Sequence, residues 1–196
     1  MKRFKKGDSI DLFVATTINR DEVRLKDYEG KKLCLVFFRK AACPFCNMAL
    51  QDLIKEHDKF EKKGIEILAI FASPRSEILK YAGKQNAPFP IIPDPEYKIY
   101  KRYGIEISYK GMFKTSFNIK KVLKAIKGGF FNIKSTFQDP VLPANFLIDE
   151  NLKVKKAHYG KTYDDHLAVS EVLNWDTDSK SEKDILNNPL FQYNAN

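Results

Sequence analysis

Cysteine, histidine and tryptophan are scarce in this chain of 196 residues, at three, three and one copies. Three cysteines are an odd number and too few to staple a fold of this size, so stability has to come from an apolar core. No stretch approaches the roughly 18 apolar residues that a membrane-crossing helix needs, so no membrane span is expected. The basic opening Met1 to Lys6 meets Asp8 and Asp11 before an apolar stretch of about seven residues can form, which argues against a secretory leader. Zinc-finger spacing, a Walker loop and an aromatic RNA-binding signature are missing. Arginine is absent from residues 103 to 196, and acidic residues are absent from 107 to 138.

What is present suffices for a globular fold. Hydrophobic residues make up 43% and aromatics 13%, with 15 Phe, so a core can form and global disorder is not the natural reading. Lys and Arg number 34 against 25 acidic residues, a net charge of +9. Such a surface attracts anions over about 8 to 10 Å at ordinary salt, but by itself it reads as solvated charge, and no nucleic-acid partner is expected. The length favours one domain, over residues 1–175, with a polar tail at 176–196.

The order of patterns is that of an α/β protein. Ile10, Leu12 and Val14 alternate, a polar turn follows at Asn19-Arg20-Asp21, and Val23 and Leu25 return: a β-hairpin. The run Leu33 to Phe38 reads as a central strand buried on both faces. Ala49, Leu50, Leu53, Ile54 and Phe60 mark a helix that starts at the cysteines and stops at Lys62-Lys63-Gly64. Ile65 to Phe71 is a second strand, and Ser73-Pro74 signals a capped helix to about Gly83. Pro90-Ile91-Ile92 is a short strand, Asp94-Pro95 opens a helix to Tyr103-Gly104, and two strands follow over 144–149 and 152–158. A closing helix is expected over 163–174.

The chemistry centres on Cys43-Pro44-Phe45-Cys46. A thiol attacks as thiolate, and its free pKa near 8.5 leaves only a few per cent ionised at neutral pH. A helix start lowers that value through unpaired N–H groups and about half a positive charge. Arg39 and Lys40, just upstream, add to the positive potential. Pro44 suits the first helical turn, and Cys46 lies on the same side of that turn as Cys43, within easy reach for a disulfide. Cys43, expected at the solvent-facing end, is assigned as nucleophile and Cys46 as resolving thiol. Half a zinc site and inert packing are the alternatives, and without a second cysteine pair redox chemistry leads, with neither metal nor cofactor. Cys34, in mid-strand, reads as a buried apolar residue. His57, about 21 Å along the helix, cannot serve as base. His158 and Tyr159 return to the active end with the last strand and are candidates for support. His166 reads as structural. Paired thiols of this kind suit a reducing, cytoplasmic setting.

The segment from Phe37 to Leu50, Phe-Phe-Arg-Lys-Ala-Ala-Cys-Pro-Phe-Cys-Asn-Met-Ala-Leu, resembles the peroxiredoxin-like branch of the alkyl hydroperoxide reductase and thiol-specific antioxidant superfamily. Gly7-Asp8, Ile65 to Phe71, Phe89 to Pro95 and Leu142 to Asp149 follow the same family in order, and the likeness covers most of residues 7 to 174. It implies a thioredoxin-like fold: a central mixed β-sheet flanked by helices, with an N-terminal β-hairpin and a helical insertion ahead of a strand led by Pro143 as cis-proline. It also implies peroxide reduction through a Cys43 sulfenic acid and a Cys43–Cys46 disulfide. The partners are then a peroxide or disulfide substrate and a thioredoxin- or glutaredoxin-type reductant, with a homodimer allowed. The family pattern places Pro and Thr seven and three residues before the cysteine, where this chain has Val36 and Lys40. The Arg that a later strand usually supplies has no counterpart, which leaves Arg39 or Lys40 as sources of that charge. A disulfide reductase without peroxidase activity is the alternative enzyme. The segment 107–138 reads as a basic amphipathic helix, and a binding module built on it is the alternative of another class.

Overall fold

The computed structural model describes residues 3–105 and 141–175. The insertion at about 107–138 and the tail at 176–196 lie outside the described residues, as does any binding surface on the basic segment.

The hairpin forms as expected, from β1 (Val14–Thr16) and β2 (Glu22–Arg24), antiparallel. The main sheet contains β3 (Lys32–Phe38), β4 (Ile65–Phe71), β5 (Ile91–Pro93), β6 (Ala144–Ile148) and β7 (Val154–Tyr159), in the order β5-β4-β3-β6-β7. β3, β4 and β5 run parallel, while β6 and β7 are antiparallel to their neighbours, which makes the sheet mixed. Because strand side chains alternate, β3 feeds two cores at once. Cys34, Val36 and Phe38 join Leu50, Leu53, Phe60, Ile78 and Val172 on one face. Leu33, Leu35 and Phe37 join Phe4, Phe13, Leu25, Tyr100, Tyr103 and Phe146 on the other. Burying each such large side chain contributes roughly 1.5–3 kcal/mol, so the central strand is pinned from both sides.

Four expectations need correction. The helix opened by the cysteines is broken at Glu56 into α1 (Pro44–Lys55) and α2 (His57–Lys62), and beyond the break Phe60 is fully buried. The next helix, α3 (Arg75–Lys80), has Pro74 at its N-cap position and no side-chain cap: the buried Ser73 hydroxyl instead accepts a hydrogen bond from Ala41 N–H at 3.0 Å. Asp94 does cap, accepting from the N–H groups of Lys98, Ile99 and Tyr100, but α4 starts only at Lys98 and ends at Arg102, after Tyr97 in the left-handed region. The closing helix, α5, covers only Val169–Asn174, because residues 160–166 form a tight turn instead.

Pro143 is also different from expectation: the Leu142–Pro143 bond is trans, and no cis peptide bond occurs among the described residues. The chain runs extended from Val141 into β6, with Gly160 N–H donating to Pro143 O at 2.9 Å. Trans is the cheaper isomer and fits this straight course.

Candidate active site

β3 delivers the chain to the site. After Phe38, residues 39–42 form a loop held on both sides: Ala72 N–H donates to Arg39 O at 2.9 Å, and Cys43 N–H to Lys40 O at 3.0 Å. Cys43 is the N-cap of α1, Pro44 takes the first helical position and Cys46 the third. A proline there costs no hydrogen bond, since the first helical N–H groups have no partner in the helix. Asn47 ties the loop to the helix: its Nδ2 donates to Ala41 O at 2.6 Å and to Cys43 O at 2.9 Å. Gln85 in turn donates to Asn47 Oδ1 at 2.8 Å.

Cys43 and Cys46 are both thiols, and both are fully buried. Cys43 is thus not the solvent-facing residue its place at the helix start suggested; the sulfur sits under the guanidinium of Arg39, itself fully buried. Arg39 Nη1 donates to Cys43 Sγ at 3.3 Å, and Nε donates to Val141 O at 2.9 Å. The Arg39 guanidinium carbon lies 3.3 Å from the centre of the Tyr163 ring.

These contacts pull the two thiols apart. A hydrogen bond from Cys46 brings Cys43 down to about 6, against the opposing effect of burial and with help from Arg39 and the N–H groups of Cys46 and Phe45. Cys46 is pushed up, first by burial and then by the neighbouring Cys43 sulfur. One proton is effectively shared: the Cys46 thiol donates to the Cys43 sulfur, and the Arg39 guanidinium adds to the preference for charge on Cys43.

The supporting residues divide. Arg39 touches the sulfur. Lys40, half-buried, has its ammonium 5.4 Å from the Tyr97 ring centre and lends Cys43 its carbonyl. Pro143 lies at the foot of β6, in contact range of the Gly160 turn. His158 pairs with Asp165, Nε2 to Oδ1 at 2.9 Å. Tyr159 is not at the site: it pairs with Ala144 on the opposite face of the sheet, where its hydroxyl accepts from Phe4 N–H at 2.8 Å and faces Tyr103 O at 2.9 Å. His166 packs its ring 5.0 Å from Phe38.

Tyr163 and Asn47 are residues around the site that the sequence reading did not single out, and Ser73 was read only as a helix cap. Asn47 stands in the helix that was recognised, and its amide one turn after the N-cap was a readable signal. Tyr163 comes from a turn, without spacing or periodicity to mark it. Beside Phe45, a cleft of about 310 Å³ opens between β3, α1 and the 164–172 segment, lined by Met48, Ala49, Asp52 and Leu167 among others.

Residues 7–157 match the model of the AhpC/TSA family. The chain is 25% identical over 113 residues to peroxiredoxin Bcp of Escherichia coli, covering 57% of this chain and 72% of that protein. In structure it is similar to peroxidoxin BcpB of Mycobacterium tuberculosis, with a TM-score of 0.65 and 17% identity, over 88% of this chain and 96% of that one. It is also similar to a candidate thiol:disulfide interchange protein, DsbE, of Chlorobium tepidum, with a TM-score of 0.56 and 22% identity, over 93% and 96% of the two chains. At such identities the structural likenesses speak to the thioredoxin-like fold.

Proposed function

The chain belongs to the AhpC/TSA family as a peroxiredoxin-like thiol oxidoreductase, and from that premise we propose that it reduces peroxides through Cys43 and Cys46. The Cys43 thiolate attacks one peroxide oxygen. The O–O bond breaks, an S–O bond forms, and the leaving oxygen takes up a proton, so that the sulfur is oxidised to a sulfenic acid and the peroxide reduced to an alcohol or water. The Cys46 thiol then condenses with the sulfenic acid, releasing water and closing a disulfide. A thioredoxin- or glutaredoxin-type dithiol returns two electrons and two protons.

The observation that carries this reading is the Arg39 guanidinium 3.3 Å from Cys43 Sγ. It favours the thiolate and can face the charge that develops on the leaving oxygen, which works best when the donor is already in place. The arginine thus arrives from the loop that leaves β3, just before the cysteine, rather than from a later strand. The i, i+3 spacing within one helical turn supports Cys46 as the resolving residue, since the disulfide closes without unwinding α1.

A second reading is favoured by that same Cys-Pro-Phe-Cys at a helix start and by the likeness to the DsbE-type structure: reduction of protein disulfides. Stopped-flow oxidation of the reduced protein by hydrogen peroxide and by an organic hydroperoxide, beside reduction of a model protein disulfide, separates the two. Peroxide reaction no faster than with a free thiol, together with rapid disulfide reduction, rejects the peroxidase reading.

Among the described residues no helix is long and apolar enough to cross a membrane.

A further inference from the structure

We propose that Tyr163 is a positioning residue that holds the Arg39 guanidinium against the Cys43 sulfur, and that the tight turn over residues 160–166 is the element that delivers it there. The inference deepens the reading of Cys43 as nucleophile and rests on it.

A buried arginine is a long, flexible cation, and hydrogen bonds at its edge do not fix the plane of its guanidinium. Here Nε donates to Val141 O and Nη1 to Cys43 Sγ. The face is covered by Tyr163, whose ring centre is 3.3 Å from the guanidinium carbon and which is itself only 1% exposed. The negative face of an aromatic ring attracts a cation most strongly where water is excluded. The ring therefore fixes the plane in which the guanidinium meets the sulfur.

The turn that carries Tyr163 is tied down at its rim. Gly160 N–H donates to Pro143 O at 2.9 Å, and a Cβ at Gly160 would stand 2.7 Å from Asp165 O and 2.8 Å from Pro143 Cγ, so the turn closes only around glycine. Asp165 holds both arms: Oδ2 accepts from Lys161 N–H at 2.8 Å, and Oδ1 meets His158 Nε2 at 2.9 Å. Thr162 Oγ1 donates to Asp164 Oδ1 at 2.7 Å. His158 thus acts two steps from the sulfur, through the turn rather than by contact.

The test is a titration of the Cys43 thiolate by its ultraviolet absorbance, with Cys43→Ser as blank, in the full reduced chain and in Tyr163→Phe, Tyr163→Leu and Asp165→Ala. Tyr163→Phe keeps the ring face and should keep the midpoint. Tyr163→Leu fills the space without a π face and should raise the midpoint by about one unit or more, so that thiolate at pH 7 falls roughly two-fold or more and recovers at alkaline pH. Asp165→Ala, at a half-exposed rim position, should move the midpoint the same way by less. A folded Tyr163→Leu with an unmoved midpoint overturns the proposal, as does an equal rise in Tyr163→Phe. If Tyr163→Leu does not fold, Asp165→Ala decides: an unmoved midpoint rejects the proposal. Absence of any low-pKa thiol in the parent chain relative to Cys43→Ser rejects the nucleophile reading itself.

Discussion

Cys34 lies in the middle of β3 between Ile67 of β4 and Leu147 of β6; Cys43 lies where the loop leaving that same strand enters α1. Both side chains are fully buried, and they differ only in what surrounds them. Around Cys34 there are apolar side chains, and burial pushes the thiol up to about 12. Around Cys43 the Cys46 thiol, the Arg39 guanidinium and two helix N–H groups point at the sulfur, and together they outweigh burial and hold it at about 6. Burial alone therefore disfavours a thiolate in this fold, and fixed donors favour it at Cys43.

The sharpest way to break the contrast is to exchange which sulfur matters. Cys43→Ser should abolish peroxide-driven disulfide formation, leaving only the background rate in a stopped-flow assay. If adducts and turnover persist through Cys34, the comparison fails. Arg39→Met comes next: it keeps much of the volume and removes the charge. The Cys43 thiol should then rise part of the way toward the ordinary thiol value, since the Cys46 hydrogen bond and the helix N–H groups remain, which lowers thiolate at pH 7, and with it the oxidation rate, by roughly two-fold or more. The thiolate of this variant should recover as pH rises above about 9, while part of the rate deficit should persist there, because the charge that faces the leaving oxygen is gone.

A gradual effect follows from pH alone. With Cys43 at about 6, the fraction of thiolate rises about ten-fold between pH 5 and pH 7 and is flat beyond, and the oxidation rate of the unaltered protein should follow it. Stability carries the opposite signs for the two thiols. Cys43, depressed on folding, contributes stability that is present above the unfolded thiol pKa and is lost as pH falls through about 6. Cys34, raised on folding, contributes stability present below the unfolded thiol pKa and lost as pH rises through about 12. Denaturant midpoints measured from pH 5 to pH 10 in Cys34→Ala and Cys43→Ala should separate the two slopes.

The same two regions show what the sequence made legible. The apolar run ending at Phe38 and the Cys-Pro-Phe-Cys after it are local patterns, and they sufficed for the central strand, for α1 and for the identity of the two thiols near its start. Arg39 was within that reach because it is adjacent in the chain. Tyr163 was not, since its contact with Arg39 is made by a turn whose closure depends on Gly160 fitting under Pro143 and Asp165, a condition without periodicity. Tyr159 was misplaced for a reason available beforehand: neighbours on a strand point to opposite faces, so His158 and Tyr159 could not both approach one site. The Ser73 hydroxyl was drawn from its capping role by Ala41 N–H, a partner from a distant loop.

The smallest expected effect concerns the silent half of the comparison. Cys34→Ala removes one sulfur atom from a strand position flanked by Ile67 and Leu147 and leaves the Arg39 and Cys46 hydrogen bonds of Cys43 in place. The lost contacts and the small cavity should cost roughly 0.5–1.5 kcal/mol in a urea titration, as for other deletions of a single buried heavy atom. The oxidation rate at pH 7 should stay within about two-fold of the parent, because the charge on Cys43 is set at the helix mouth and not in the strand. A large change in rate at unchanged fold would mean that the strand interior communicates with the nucleophile. The division into an inert and an activated cysteine would then have to be redrawn along β3 as a whole.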